Sequence, residues 1–311
     1  MAKKKTAAWT TAGALGAAIG AYSFIRSQQE KTERVNSLQR RSRMIDTPRG
    51  PMETEIDGTG PNIIVAHGAL GGHDRARLYS FPEAGFRFIC PSRPGYLRTP
   101  LSIGRTFEEQ ADAFVELLDV LEIDRAAILG CSAGGPVAIQ FALRHPDRCW
   151  AVVLGNAITG PLSPLHALME PTAQLLFGID WLTWFGVNRA VLYTLRPNLG
   201  LHVMGDRLKQ QRILAMLHTM YPTSLRKPGF VNDMHQFQNS PVYPLAQITV
   251  PTLVVHGTHD MVVPYSHGQR SAAAIPGAQF LSIESGTHLD FISHVELIQP
   301  RIVAFLNRHS Q

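Results

Sequence analysis

Three residues that could form a nucleophile, base and acid chain for acyl transfer are spread through this sequence: Ser132, His288 and Asp260. Ser132 sits in Gly130-Cys131-Ser132-Ala133-Gly134, a G-x-S-x-G pattern, after the short apolar run Ala126–Leu129 and before a helical pattern. The two glycines occupy the positions where a sharp strand-to-helix turn leaves no room for a side chain. A serine on such a turn holds its hydroxyl clear of a sheet, at a helix N-terminus whose free N–H groups favour negative charge. Cys131 is the other nucleophile by residue type, but Leu129 and Ala133 flank it where the turn needs glycine, so the register favours Ser132. Asp260 follows the strand-like run Thr252–Val255, and His288 follows Gln279–Ile283. The order Ser, Asp, His along the chain is the one that open α/β sheets with this turn use. Asp290 is a competing carboxylate, although it stands only two residues beyond the histidine it would have to support. His256 and His259 are close in sequence but bring no third ligand, so no metal is expected. Arg93 is expected to order its own loop, a substrate-carboxylate contact being the second reading.

The elements that would position these residues follow an α/β rhythm. Asn62–Ala66, Phe86–Cys90, Ala126–Leu129, Trp150–Leu154, Thr252–Val255 and Gln279–Ile283 read as buried strands. Phe107–Leu121 has helical spacing, with Phe114, Leu117, Leu118 and Leu121 on one face. Val137–Leu143 continues the helix after Ser132, and Glu296–Leu306 closes the chain as an amphipathic helix. Alternation of this kind implies a mostly parallel sheet covered on both faces, with each strand delivering its loop to one edge. Thr47–Pro61, rich in Pro and Gly, reads as a loop before the domain. The rhythm breaks between Asn156 and Ile248, a stretch rich in Leu, Trp, Phe and Met that reads as stacked helices. There Trp181, Trp184 and Phe185, with Leu175, Leu176 and Met204, are candidates to line an apolar pocket over Ser132. The expected organisation is an N-terminal segment over 1–45, a first core part over 46–155, a helical cap over 156–248 and a second core part over 249–311.

The 311 residues are 45% apolar and 17% charged, enough for one large α/β domain with an insertion. The three cysteines cannot all pair and lack metal spacing, so they are expected to be free thiols. The net charge of +5 is concentrated at one end: residues 1–43 carry nine Lys/Arg and two Glu, a net of +7, which leaves −2 for the rest. A basic appendage on a slightly acidic body argues against a nucleic-acid-binding face on the main domain.

Residues 6–25 hold no charge over 20 positions and follow three lysines. A helix of that length spans roughly 30 Å, the thickness of a bilayer core. Gly16 and Gly20 give small-xxx-small spacing that permits a close helix pair, hence a possible homodimer through this helix. The segment is expected to be an N-terminal membrane anchor. A signal peptide cleaved near Ala18-Ile19-Gly20, giving an exported protein, is the rival reading, and a surface-lying segment the third. Residues 26–45 read as a polar, basic tether or surface helix.

From about residue 50 to 310 the chain resembles the α/β-hydrolase superfamily, in its serine-nucleophile branch with a helical cap. The His67-Gly68 loop, Arg93-Pro94-Gly95-Tyr96, the G-x-S-x-G turn, Gly257-Thr258-His259-Asp260 with Val263-Pro264, and Gly286-Thr287-His288 carry the resemblance. Cys131 stands where many members have histidine, and the first loop has only Gly71-Gly72 after Ala69-Leu70; neither departure touches the three residues. The resemblance implies that Ser132 attacks a carbonyl carbon, that His288 takes its proton, and that Asp260 orients His288. It implies an oxyanion hole from the backbone N–H groups of Ala69 and Ala133, and an acyl-serine later hydrolysed by water. The expected activity is hydrolysis of carboxylic esters of a fairly apolar small molecule, esterase- or lipase-like, without metal or organic cofactor. The alternatives are C–C bond hydrolysis, lactone or amide cleavage or perhydrolysis on the same residues, or ligand binding with catalysis incidental.

Overall fold

A parallel sheet forms because six apolar runs are each followed by a helix or long loop that returns the chain to the same end. The strands are β1 (Arg43–Thr47), β2 (Gly50–Asp57), β3 (Asn62–Ala66), β4 (Arg87–Pro91), β5 (Ala126–Cys131), β6 (Cys149–Gly155), β7 (Thr252–Gly257) and β8 (Gln279–Ile283). The computed structural model describes residues 2–162, 176–185, 206–238 and 241–310, with the backbone alone for residues 2–17 and 185. The sheet order is β1-β2-β4-β3-β5-β6-β7-β8. The pairs β1/β2 and β2/β4 are antiparallel, and every later pair is parallel. The helices are α1 (Ala2–Arg41), α2 (His73–Arg77), α3 (Phe107–Val120), α4 (Gly135–Arg144), α5 (Asp180–Phe185), α6 (Arg207–His218), α7 (Lys227–Gln238), α8 (Ser266–Ala274), α9 (Asp290–Ser293) and α10 (Val295–His309).

Because side chains alternate across a strand, the sheet feeds two cores. Ile64, Ile128, Val152, Leu154 and Val254 face α3 and α4, whose Phe114, Leu117, Leu118, Val137 and Phe141 are fully buried. Ile63, Val65, Leu129, Val153 and Val255 face α10, through Ile298, Ile302 and Phe305. The helix expected at 107–121 starts at a capping box, in which Thr106 and Glu109 satisfy each other's backbone N–H groups.

The segment Thr47–Pro61, expected as a loop, instead holds β2, which pairs with β1 in a hairpin at the sheet edge. Pro48 and Arg49 form its turn, and Gly50, at φ +132°, opens β2. The strand was hidden because β2 buries two carboxylates, Glu53 and Glu55. Glu53 accepts hydrogen bonds from Arg98 and Ser42, and Glu55 pairs with His73 Nδ1 at 3.0 Å.

The N-terminus differs more. Of the two forms expected for this stretch, residues 26–41 take the surface helix: they continue α1, which lies along the cap. Lys31 pairs with Asp180 at 2.7 Å, Tyr221 Oη donates to Ser27 O at 2.8 Å, and Arg34 pairs with Asp74. Ser27 and Leu38, on the inner face of this helix, are buried. No helix among the described residues is long and apolar enough to cross a membrane, so the spanning anchor expected over 6–25 has no support. The run is uncharged, but its Ala, Gly and Thr residues add little apolar surface.

Three helices, α5, α6 and α7, occupy the described part of the expected cap. Trp181 and Trp184, expected over the nucleophile, turn towards α1 instead: Trp181 Nε1 donates to Ser23 Oγ at 3.2 Å, and Trp184 Nε1 to Glu30 Oε2 at 2.5 Å. Phe185 ends α5; its side chain, and Leu175 and Met204, lie outside the described residues.

The glycines of the Ser132 turn are explained by close approach. A Cβ on Gly134 would stand 2.0 Å from Ala66 O, and one on Gly130 2.6 Å from Ala138 Cβ. Both are needed for β5 to turn into α4 against β3. Gly134→Ala is therefore expected to cost about 3 kcal/mol of folding stability, read as a lower urea midpoint with unchanged slope. An unchanged midpoint would show that the backbone moves freely there.

Candidate active site

Left-handed backbone gathers at the carboxyl edge of the sheet. Ser132, after β5, has φ +51°; Asn156, after β6, +46°; Ser285, after β8, +55°; and Leu70, beyond β3, +54°. For residues other than glycine this conformation is strained, and it clusters where side chains must be aimed. At Ser132 it lifts the hydroxyl out of the strand direction and beside Gly68 of the loop after β3.

Ser132, His288 and Asp260 meet at this edge. The Ser132 hydroxyl donates to His288 Nε2 at 3.0 Å. His288 Nδ1 lies 2.8 Å from Asp260 Oδ2, and because an ionised carboxylate only accepts, Nδ1 carries the proton. Asp260 is held from the other side as well. Its Oδ1 accepts the N–H groups of Val262 and Val263 at 2.8 and 2.9 Å, and its Oδ2 accepts Asn156 Nδ2 at 3.0 Å. Burial works to raise the Asp260 pKa, but the hydrogen bond and charge of His288, with the Val263 and Asn156 donors, outweigh it and keep the carboxyl ionised below the usual range.

Sequence reasoning missed Asn156. Its amide also donates to Thr287 O at 2.9 Å, tying the acid loop to the histidine loop. The available signal was its place, first after a parallel strand at the edge where site loops gather.

Among the described residues, neither the Ala69 nor the Ala133 N–H donates a hydrogen bond. The loop that carries Ala69 is fixed by His67. A carbonyl only accepts, so His67 Nδ1–H donates to Gly68 O at 2.8 Å, while Nε2 accepts Arg93 N–H at 2.9 Å. Burial, and then the charge of Arg93, hold this ring well below the ordinary histidine range, and it is neutral. Arg93 is fully buried. Its Nε donates to His67 O at 2.8 Å and its Nη1 to Gln110 Oε1 at 3.0 Å, while both terminal nitrogens grip the Asp233 carboxylate. Arg93 thus orders its loop, and its guanidinium is engaged within the protein.

The remaining candidates occupy other roles. Burial pushes the Cys131 thiol far up, out of the thiolate range, and Cys90 and Cys149 are also buried free thiols. His256 donates from Nε2 to Val263 O at 3.0 Å, whereas His259 Nδ1 faces Thr258 Oγ1 at 2.9 Å.

Asp290 is buried beside the acid loop without touching His288 through any hydrogen bond described. Its Oδ1 accepts Thr287 N–H at 2.8 Å and lies 3.2 Å from His294 Nδ1; its Oδ2, wedged against Gly257 and Gly286, has no partner. Burial, reinforced by the charge of Asp260, raises this carboxyl to about 7. An unfolded aspartate titrates near about 3.9, so the folded state holds the proton more tightly. The stabilisation is therefore full below that value and is lost as pH rises through about 7. Asp290→Asn, which keeps the acceptor for Thr287, is expected to flatten this loss. Urea midpoints of wild type should fall relative to the variant as pH rises from about 4 to about 7 and then level off, and parallel curves would refute the assignment.

A family model described as the alpha/beta hydrolase fold matches residues 61–295. An uncharacterised hydrolase of Bacillus subtilis is 28% identical over 264 residues, covering 81% of this chain and 93% of its own. A 2-hydroxy-6-oxononadienedioate/2-hydroxy-6-oxononatrienedioate hydrolase of Pseudomonas putida is 26% identical, covering 78% and 87%. Among solved structures, an alpha/beta hydrolase fold protein from Nakamurella multipartita superposes with a TM-score of 0.67 at 30% identity, covering 85% of this chain and 98% of its own. Strand order, the Ser132 turn, the meeting of three loops at one edge and these matches agree: the chain belongs to the α/β-hydrolase family.

Proposed function

We propose that this hydrolase cleaves carboxylic esters of a fairly apolar small molecule through an acyl-enzyme on Ser132. The observation that carries the reading is the continuous hydrogen-bond chain from Ser132 Oγ through His288 to Asp260, at 3.0 and 2.8 Å. In that chain His288 Nε2 receives the serine proton as Oγ bonds to the carbonyl carbon, and Asp260 stabilises the cation that forms. The resulting oxyanion would be met by the N–H groups of Ala69 and Ala133, each such donor contributing about 2.7–4 kcal/mol to the transition state. His288 then returns its proton to the leaving alcohol. Water, deprotonated by the same ring, releases the acid and restores Ser132.

The dicarboxylate in the name of the Pseudomonas relative's substrate would need cationic partners. Arg93 is spent on His67 O, Gln110 and Asp233, and the terminal nitrogens of Arg226 on Asp74 and Gly71 O. This favours a neutral ester over such an acid.

The test is labelling by a fluorophosphonate probe together with turnover of p-nitrophenyl esters of increasing acyl length. Ser132→Ala is expected to abolish labelling and lower kcat by roughly 10⁶-fold. Asp260→Asn should lower kcat by about 10⁴-fold, because the imidazole loses the partner that sets its tautomer. Turnover should peak within the series. Folded wild-type protein that takes up no probe would sink the reading.

A further inference from the structure

The outer face of α1 changes character along its length. At helical spacing the residues turned away from the cap are Ala18, Tyr22 and Ile25, then Gln29, Thr32 and Asn36, with Arg26 at the change. Before Arg26 the exposed side chains are large and apolar: Ile19 is 60% exposed, Tyr22 65%, Phe24 51% and Ile25 55%. Beyond it they are polar or charged, and Arg26 itself pairs with Glu30 on the surface.

The cap presents matching side chains next to them. Leu176, Ile179 and Leu182, which begin α5 or immediately precede it, are 40%, 45% and 42% exposed. The two sets adjoin: the Phe24 and Trp181 rings meet edge-on at 6.5 Å, and Trp181 bonds Ser23. One apolar surface therefore runs from the N-terminal half of α1 onto the cap, larger than the scattered exposed leucines of an ordinary surface. Its rim is cationic. Arg26, paired with Glu30, marks one border and Lys227 Nζ lies beside Gly178; in the sequence, three lysines also precede the uncharged run 6–25.

We propose that this joint face of α1 and the cap is a docking surface for the interface of an anionic lipid bilayer. Apolar side chains beside cations are the chemistry of a segment lying at the boundary between headgroups and acyl chains. The change at Arg26 fixes the depth: residues 18–25 and the α5 edge enter, while Gln29, Thr32 and Asn36 stay in water. The helix lies on the membrane with the cap it is bonded to, and does not cross it. The surface is independent of the reaction at Ser132, and its test reads binding rather than turnover.

The full-length protein would be floated through a density gradient with vesicles of phosphatidylcholine, with and without phosphatidylserine. Wild type is expected to float, more completely with phosphatidylserine and less so at high salt. Ile25→Ser combined with Ile179→Ser removes apolar area at two positions about half exposed, and should weaken partitioning by about tenfold. Val120→Ser, an exposed position at the end of α3, should float as wild type does, and all three proteins should share one unfolding midpoint. The proposal fails if wild type stays at the bottom with both lipids, or if the double variant floats undiminished. It fails equally if wild type sediments as a dimer that the double variant dissolves, since a second copy then covers the face.

Discussion

The buried guanidinium of Arg93 holds together parts of the chain that are far apart in sequence. It spans the backbone of the His67 loop, Gln110 on α3 and Asp233 on α7, and Tyr96 Oη completes the cluster on Asp233 at 2.6 Å. A guanidinium without water is costly unless every donor is matched, and a planar fork against a carboxylate is the geometry that matches it. Because one of those donors reaches His67 O and the Arg93 N–H reaches His67 Nε2, the loop bearing Ala69 cannot shift without breaking the cluster. The position of a proposed oxyanion donor and the seating of a cap helix are thus set by one ion pair.

The acid side of the site is organised by a different constraint, the crowding of carboxylates. Asp260 and Asp290 are both buried near the ends of β7 and β8. Asp260 receives donors from Val262, Val263, Asn156 and His288, which favour its ionised form. Asp290 receives Thr287 N–H and carries the rest of its carboxyl against glycine backbone. Two neighbouring acids are driven apart in proton affinity, so that below about pH 7 only Asp260 carries charge beside the imidazole.

Much of this was legible in the sequence because it rested on local steric demands. Gly130 and Gly134 announce the Ser132 turn since no side chain fits there, and apolar runs separated by helical patterns announce the parallel sheet. What stayed hidden depended on partners distant in the chain. β2 read as a loop because Glu53 and Glu55 look solvated until Arg98, Ser42 and His73 are placed around them. Asp233 gave no sign of its role, being 140 residues from Arg93. Trp181 and Trp184 looked like pocket walls because an aromatic-rich helix does not declare which face it buries. Their indole N–H groups found Ser23 and Glu30 on a helix whose first part had read as a membrane anchor and whose remainder as a tether or surface helix.

The docking of α1 on the cap makes these two segments a single heritable module. Asp180 draws Lys31 from α1, Tyr221 draws Ser27 O, and both tryptophans of α5 spend their N–H groups on the same helix. A chimera that exchanged the cap for that of another hydrolase would leave α1 facing foreign chemistry. One that exchanged only the first forty or so residues would strip the cap of its outer partners. Recombination within this fold should therefore carry the N-terminal helix and the cap across together, although more than a hundred residues of sheet and helix separate them in the chain.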